Sequence, residues 1–140
     1  MVNFQGRILV IDDDLTTIKL IQRYLVQPNY RVLTSQSGAE GLRILAEEQT
    51  IHVILLDYMM PDMTGVEFME VLVRQNQRPL LIMMSSLMED QIPTGFRWDY
   101  FLKKPIARAN LLDTLERCLA QSHRTGERPS LKKKRRPAKP

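Results

Sequence analysis

Several polar side chains follow short apolar runs in this sequence, and their types suit phosphoryl chemistry. The acidic run Asp12–Asp14 comes directly after the first apolar run, Asp57 ends a later one, Ser85 ends the next, and Lys104 follows the last. Carboxylate oxygens without histidine or cysteine partners favour a hard cation, of which Mg²⁺ is the first candidate. The candidate chemistry is phosphoryl transfer to Asp57, which would form an acyl phosphate.

The acidic run Asp12–Asp14 has two interpretations. One carboxylate before the following helical segment would cap that helix and favour its dipole, and Asp14 can fill this role. Three successive carboxylates facing Asp57 would repel one another strongly unless a cation lay among them. Taken singly, Lys104 would be a solvated surface lysine and Ser85 would belong to a turn at the end of its strand. Their joint position at strand ends favours a site in which an ammonium and a hydroxyl hold phosphoryl oxygens.

These side chains meet if the strands before them start from a common edge. Apolar runs without polar alternation are typical of strands buried on both faces of a parallel sheet, and helical-period segments separate them here. The runs are Ile8–Ile11, Val53–Leu56 and Leu80–Met84, with a weaker one at Tyr30–Leu33. The segment Phe96–Leu102 is aromatic-rich and is expected to supply a short fifth strand. The alternation predicts a doubly wound α/β fold with a five-stranded parallel sheet and helices on both faces. Ligands of such sheets bind beyond the carboxyl edge.

Two segments depart from this alternation. Residues 85–91 have room for a turn or two of helix before Pro93-Thr94-Gly95 ends it, so the fourth helix is predicted to be short or irregular. Trp98, which follows, either packs against this segment or is exposed for a partner. From Gln121 onward the chain has no apolar face to bury. We therefore expect one folded domain over residues 1–120 and a disordered basic tail or linker over residues 121–140.

The net positive charge of the chain comes from that tail. The net charge is +4, to which residues 121–140 contribute +7 and residues 1–120 contribute −3. Lys132–Arg136 is a candidate for weak, non-specific contact with nucleic acid or another anionic surface, with strong salt dependence. A linker or an inert terminus fits this composition at least as well.

Other classes of function are disfavoured by what the sequence lacks. A single cysteine and two histidines argue against a disulfide framework and against a metal centre built on those residues. No apolar run is long enough to span a membrane and the start lacks a signal-peptide pattern, so a cytoplasmic location is expected. A P-loop enzyme is excluded because its Gly-rich motif is absent. A haloacid-dehalogenase-type phosphatase would need a second Asp two residues after Asp57, where this chain has Met59.

The motifs, in their order and spacing, resemble the receiver domain of two-component response regulators. The resemblance covers about residues 6–120 and rests on Ile8–Asp14, Leu55–Gly65, Ile82–Ser86 and Lys104-Pro105. It implies a signalling switch that takes a phosphoryl group from a histidine kinase or a phosphotransfer protein. The switch would then change its surface for a downstream protein. The resemblance implies no enzymatic activity beyond the domain's own phosphorylation and dephosphorylation.

The same resemblance implies how Mg²⁺ and phosphate are held. Asp57 is the phosphoacceptor, and Asp12 and Asp13 are the acidic pair, with Asp13 a direct Mg²⁺ ligand. Asp57 itself and the backbone carbonyl of Met59 complete the metal ligands from the protein. Lys104 is the lysine that pairs with the phosphoryl group.

The resemblance also assigns a switch. Ser85 matches the switch hydroxyl, and Phe101 lies where the family keeps a rotating aromatic side chain. The peptide bond between Lys104 and Pro105 is expected to be cis. In the family, the fourth helix, fifth strand and fifth helix form the output and dimer face. Because the fourth helix is shortened here, the usual dimer mode cannot be assumed, and a monomer or a weak dimer is expected.

Overall fold

A single five-stranded parallel sheet organises the protein, and the predicted doubly wound α/β fold is confirmed. The computed structural model describes residues 6–48, 50–75, 79–93 and 98–125. The strands are β1 (Arg7–Ile11), β2 (Arg31–Ser35), β3 (Val53–Asp57), β4 (Leu80–Ser85) and β5 (Tyr100–Lys103), in the spatial order β2-β1-β3-β4-β5. The α-helices of these ranges are α1 (Leu15–Leu25), α2 (Gly38–Glu47), α3 (Gly65–Arg74) and α4 (Arg108–Thr125).

Helices cover both faces of the sheet because successive strand residues point to opposite sides. On β1, Ile8 and Val10 face one apolar cluster while Leu9 and Ile11 face the other. The first cluster receives buried side chains from α1 and α4, namely Ile18, Ile21, Leu25, Leu111, Leu115, Cys118 and Leu119. The second receives Leu45, Phe68, Met69 and Leu72 from α2 and α3. The central strand β3 is buried along its whole length, which fixes the height of its last residue, Asp57.

The strand register brings the predicted site residues to one edge. Ile11 of β1 pairs with Leu56 of β3. Asp12 and Asp57 are the next residues on these two strands, so they lie at the same level of the sheet. Across the next two ladders, Asp57 pairs with Met84, and Ser85 pairs with Lys103. The four strand ends that carry Asp12, Asp57, Ser85 and Lys104 therefore lie side by side, as expected for an all-parallel sheet.

The described residues between β4 and β5 carry little helix, as predicted. A 3₁₀ helix at Glu89–Gln91 occupies the place of the fourth helix. The predicted start of the fifth strand was too early, because β5 begins at Tyr100, and Phe96 lies outside the described residues. Just before β5, the Asp99 carboxylate accepts the backbone N–H of Leu81 at 2.8 Å. A side chain thus takes a bond that a strand carbonyl would otherwise receive, which delays the strand.

The last helix is longer than predicted. The helix α4 continues to Thr125, five residues beyond the domain boundary expected at residue 120. Helix propagation adds one backbone hydrogen bond per residue and needs no apolar face, and Gly126, a poor helix former, is the next residue. The rest of the predicted basic tail, residues 126–140, lies outside the described residues.

The first described residue lies against the last helix at the amino edge of the sheet. A Cβ added at Gly6, just before β1, would lie 3.4 Å from the side chain of Leu119 in the second half of α4. Across the described ranges, no helix has the length and apolarity needed to cross a membrane.

Candidate functional site

The acidic run after β1 has two roles: Asp14 caps a helix, and Asp12 and Asp13 belong to the carboxylate cluster. Asp14 is the N-cap of α1, and one of its carboxylate oxygens accepts the backbone N–H of Thr16 at 2.9 Å. The capping interpretation is therefore confirmed for Asp14. Asp12, fully buried, accepts the backbone N–H of Asp14 through Oδ1 at 2.9 Å. This bond turns the other oxygen of Asp12, Oδ2, toward the centre of the carboxyl edge.

Lys104 joins the two buried carboxylates at this edge. Its Nζ lies 2.7 Å from Asp12 Oδ2 and 3.0 Å from Asp57 Oδ1. The backbone N–H of Lys104 donates to the carbonyl of Ser85 at 2.8 Å, which anchors the lysine at the end of the β4–β5 ladder. The bond between Lys104 and Pro105 is cis, as the resemblance implied.

Three carboxylates converge closely enough to hold one cation. Ligand oxygens of Asp12, Asp13 and Asp57 all lie within 4.8 Å of one another, and Asp13 is exposed while the other two are buried. One ammonium against three carboxylates leaves the cluster negative, and its donors are all oxygen. This donor set fits Mg²⁺, which prefers carboxylates and water. The cluster has an open side at Asp13.

The electrostatics of the cluster point the same way. Burial, followed by the nearby charge of Asp12, raises the pKa of Asp57 from 3.8 to about 7, although Lys104 opposes this. Burial alone would lower the pKa of Lys104, but its bonds to Asp12 and Asp57 raise it above its ordinary value. Burial and the neighbouring carboxylate both disfavour the ionised form of Asp57, and a cation bound beside it would stabilise that form.

Met59 stands two residues beyond Asp57 in the loop that leads to α3. Its side chain is 60% exposed, and a thioether is a poor ligand for a hard cation. Its backbone forms an isolated antiparallel bridge with Thr64. Of the atoms of Met59, the backbone carbonyl is therefore the one suited to a magnesium site.

Ser85 is buried at the end of β4, one residue beyond the register partner of Asp57. Its Oγ accepts the backbone N–H of Leu87 at 3.0 Å. This bond uses an oxygen lone pair and not the hydroxyl proton, so the hydroxyl keeps its capacity to donate. On the next strand, Lys103 donates from Nζ to the carbonyl of Ser86 at 3.0 Å, which ties the loop after Ser85 to β5.

Phe101 is half-buried on β5, and Trp98 packs against it. The two rings have centroids 6.2 Å apart and are tilted by 38°. The indole N–H of Trp98 donates to the Glu89 carboxylate in the 3₁₀ helix. Of the two interpretations of Trp98, packing against the shortened segment is the one that the structure supports.

Sequence reasoning missed Asp62, in the loop between β3 and α3. Its carboxylate accepts the N–H of Gly38 at 3.1 Å and of Ala39 at 3.0 Å, the first two residues of α2. The slight burial of this exposed carboxyl would raise the pKa of Asp62, but the amides of Ala39 and Gly38 outweigh this and lower it. No local pattern signals such a cap, because the capping residue lies 24 positions after the first residue of the helix it caps. The one local signal in the sequence was Ser37, the N-cap of α2, which marks where that helix begins but not that Asp62 caps it.

A protein-family model for the response regulator receiver domain matches residues 8–116. The transcriptional regulatory protein GlrR of Escherichia coli K12 is 32% identical over 120 residues, which are 84% of this chain and 27% of GlrR. The two-component response regulator ORR3 of Oryza sativa subsp. indica is 35% identical over 66 residues, 47% of this chain and 50% of ORR3. The chain thus spans 27% of the length of the former relative and half that of the latter.

Solved structures give the same picture of the fold. The signal receiver domain of an HD domain-containing protein from Pseudomonas fluorescens Pf-5 superposes with a TM-score of 0.78 at 20% identity, covering 92% of this chain and 97% of that one. The chemotaxis protein CheY4 of Vibrio cholerae superposes with a TM-score of 0.69 at 26% identity, covering 81% of this chain and 98% of that one. The order of strands and helices described above is thus an order that known proteins share.

Proposed function

This chain belongs to the response regulator receiver domain family of two-component systems, and on that premise we propose that Asp57 accepts a phosphoryl group in a Mg²⁺-dependent reaction. The donor would be a histidine kinase or a phosphotransfer protein. The observation that carries the proposal is the position of Lys104, whose Nζ lies within 3.0 Å of two buried carboxylates. Asp13 adds a third carboxylate on the open side of the same cluster.

The transfer step follows from the chemistry of the cluster. A carboxylate oxygen of Asp57 attacks phosphorus, the P–O bond of an acyl phosphate forms, and the P–N bond of a phosphohistidine breaks. The electron pair of that bond leaves with the imidazole nitrogen. From its position beside Asp57, Lys104 can donate a hydrogen bond to one oxygen of the transferred phosphoryl group. The Ser85 hydroxyl can donate to a second phosphoryl oxygen. When bound by Asp12, Asp13, Asp57 and the Met59 carbonyl, Mg²⁺ would offset the charge on the phosphoryl oxygens.

The surface around the cluster suits the approach of a protein donor. Five large apolar side chains are exposed among the described residues, and four of them lie at the carboxyl edge. Leu15 is the first residue of α1, and Met59, Leu87 and Met88 lie on loops. Val26, at the end of α1, is the exception. Exposed apolar groups around a polar centre are typical of protein-binding surfaces. A partner docked on these side chains would bring its phosphohistidine to Asp57.

The signal would leave through the β4–β5 region. A phosphoryl group adds negative charge and acceptor oxygens beside Ser85. If Ser85 turns inward to donate, space opens behind β4, and Phe101 can turn from its half-buried position into that space. Trp98 would lose its contact with Phe101 in this movement. The altered surface would be the feature that a downstream protein reads.

Several expectations from the sequence stay predictions. They are a receiver unit over residues 1–120, a tail or linker from residue 121, weak contact of Lys132–Arg136 with nucleic acid or another anionic surface, a cytoplasmic location, and a monomer or weak dimer. Activity here would be confined to the domain's own phosphorylation and dephosphorylation. The full lengths of the relatives carry further regions, and their activities are not transferred to this chain.

Intact-mass spectrometry tests the proposal directly. We expect one added phosphoryl group after incubation with acetyl phosphate and Mg²⁺, and none when EDTA is present. The variant Asp57→Asn should add no phosphoryl group, whereas Asp99→Asn, at a half-buried carboxyl on the opposite edge of the sheet, should behave as the wild type. Modification of Asp57→Asn at the wild-type yield would overturn the assignment of the acceptor.

A further inference from the structure

The start of α2 depends on a residue from another loop. The first backbone N–H groups of a helix have no partner within the helix. In α2, the Ser37 hydroxyl accepts the N–H of Glu40 at 3.1 Å, which satisfies one of them. Asp62 accepts the two that precede it, those of Gly38 and Ala39. One carboxylate thus caps two amides of an element that lies 24 residues earlier in the chain.

The loop that contains Asp62 also contains Met59. This loop, residues 58–64, is called the acceptor loop here because it follows Asp57. Its two ends are closed by the Met59–Thr64 bridge and by the N–H of Gly65, which donates to the carbonyl of Tyr58 at 2.7 Å. These bonds set the shape of the acceptor loop. The start of the loop is held against the core by the N–H of Tyr58, which donates to the carbonyl of Met84 at 2.9 Å, and by the buried side chain of Met60. The bonds from Asp62 to α2 hold the part of the loop beyond Met60.

Side-chain packing supports the same junction. A Cβ added at Gly38 would lie 2.5 Å from Cγ and Sδ of Met63, so α2 approaches the acceptor loop as closely as a glycine allows. Met63 is itself half-buried against the cluster on the α2 and α3 face. The junction therefore has a polar part at Asp62 and an apolar part at Met63. Both parts hold the loop against α2.

We propose that Asp62 is a positioning residue for the magnesium site, and that it acts by fixing the acceptor loop, and with it the Met59 carbonyl, against the start of α2. This inference rests on the proposed function. A backbone carbonyl has no rotamers, so it can reach a metal only where its loop places it. Mg²⁺ is demanding about ligand geometry, so freedom of the loop lowers affinity. Asp62 would contact neither the metal nor phosphate, since both its oxygens are engaged by α2.

Magnesium titration by calorimetry tests the inference. We expect Asp62→Ala to raise the Kd for Mg²⁺ about tenfold, the lower end of what loss of a supporting hydrogen bond costs a metal site. Asp62→Asn should have a smaller effect, because its single carbonyl oxygen can still accept one of the two amides. Glu40→Gln is the matched control. It removes the same charge from the same end of α2 without touching the acceptor loop, and its Kd should equal that of the wild type.

A second variant perturbs the junction from the other side. Gly38→Ala changes no charge and keeps Asp62, but its Cβ would push against Met63. We expect this substitution also to weaken Mg²⁺ binding, while Asp14 and the α1 cap are untouched. The unfolding midpoint in EDTA is measured for each variant. If Asp62 were only a helix cap, the midpoint would fall and the Kd would stay at the wild-type value, which would overturn the inference.

The outcomes also separate the inference from the proposed function. Asp13→Ala removes a proposed direct ligand and should weaken Mg²⁺ binding in any case. If Asp13→Ala weakens binding but Asp62→Ala matches Glu40→Gln, the positioning role is wrong and the metal site stands. If the wild type binds no Mg²⁺, both proposals are wrong.

Discussion

Two carboxyl groups at opposite edges of the sheet are withdrawn from solvent to different degrees, Asp57 buried and Asp99 half-buried, and their surroundings differ. Asp57 lies at the carboxyl edge and Asp99 at the amino edge, and burial raises the pKa of each, to about 7 and about 6. Asp99 accepts the N–H of Leu81, and its own N–H donates to the Leu81 carbonyl at 2.9 Å. Asp57 instead lies beside the charges of Lys104 and Asp12.

The difference separates a carboxyl that completes the backbone ladder from the one that we propose as the phosphoryl acceptor. A neutral side chain with a carbonyl oxygen could do what Asp99 does, because its partner is a neutral amide. Lys104 beside Asp57 is matched to a charged carboxylate, which a neutral side chain could not replace. The second carboxylate, Asp12, repels the charge of Asp57 and so opposes folding. His52, also at the amino edge, follows the Asp99 pattern, since its Nδ1 accepts the N–H of Arg7 at 3.0 Å. At the amino edge, side chains accept backbone N–H groups and so complete the hydrogen bonding of the strands. At the carboxyl edge, the strands instead bring charged side chains close to one another.

The largest expected effect lies at the carboxyl edge. Lys104→Met removes the ammonium that joins the two carboxylates, and phosphorylation by acetyl phosphate should slow by about 10²-fold, as for loss of one donor to a developing charge. Asp99→Asn should leave the rate unchanged. Stopped or timed intact-mass measurements give both rates. Equal slowing by the two variants would erase the distinction between the edges.

At the amino edge the expected effect is on stability alone. Asp99→Ala leaves the Leu81 N–H without its acceptor, which should lower the free energy of unfolding by about 1–3 kcal/mol. Asp99→Asn keeps an oxygen in place and should avoid that loss. Urea unfolding of the two variants at pH 7 measures the difference. A loss in Asp99→Asn as large as in Asp99→Ala would mean that the charge, and not the acceptor, matters there.

The pH dependence of stability should distinguish the two carboxyls by their response to metal. A raised pKa in the folded state means that the native protein binds more protons than the unfolded chain, so stability falls as pH rises from 3.8 to about 6 for Asp99 and to about 7 for Asp57. For partly exposed Asp99 we expect about 1–2 kcal/mol, removed by Asp99→Asn, which should match the wild type below pH 4. Mg²⁺ should reduce the pH dependence of stability that is due to Asp57 and leave the pH dependence due to Asp99 unchanged. Urea unfolding across this pH range, in EDTA and in Mg²⁺, measures both contributions. A loss of both in Mg²⁺ would contradict the comparison.

The smallest expected effect concerns transmission from the carboxyl edge. Trp98 is the single tryptophan of the chain and contacts Phe101, so its fluorescence reports on that ring. With Mg²⁺ and beryllofluoride, a phosphoryl mimic, the wild-type emission should shift. Ser85→Ala should bind the mimic without the shift, and Ser86→Ala, at the adjacent exposed hydroxyl, should keep it. A full shift in Ser85→Ala would show that the signal does not pass through Ser85.

The sequence predicted what depends on strand ends and local caps. Asp57, Ser85 and Lys104 could be placed together because parallel strands share an edge, and Asp14 could be assigned as a cap from its position before α1. What escaped prediction depends on side chains that reach the backbone or side chains of a distant segment. Asp62 on α2 and Asp99 on Leu81 are of this kind. Such contacts leave no period or motif, since they depend on how close two segments come after folding.

The meeting of Gly6 and Leu119 at the amino edge has a practical consequence for attaching other molecules. Anything joined before Gly6 or after α4 would start from the edge opposite to Asp57, roughly 15 Å away along the strands. A fluorescent label or an affinity handle at either end would therefore leave the approach of a phosphodonor open. A fused domain that is to sense the state of Asp57 would instead have to wrap around the sheet or contact the β4–β5 region.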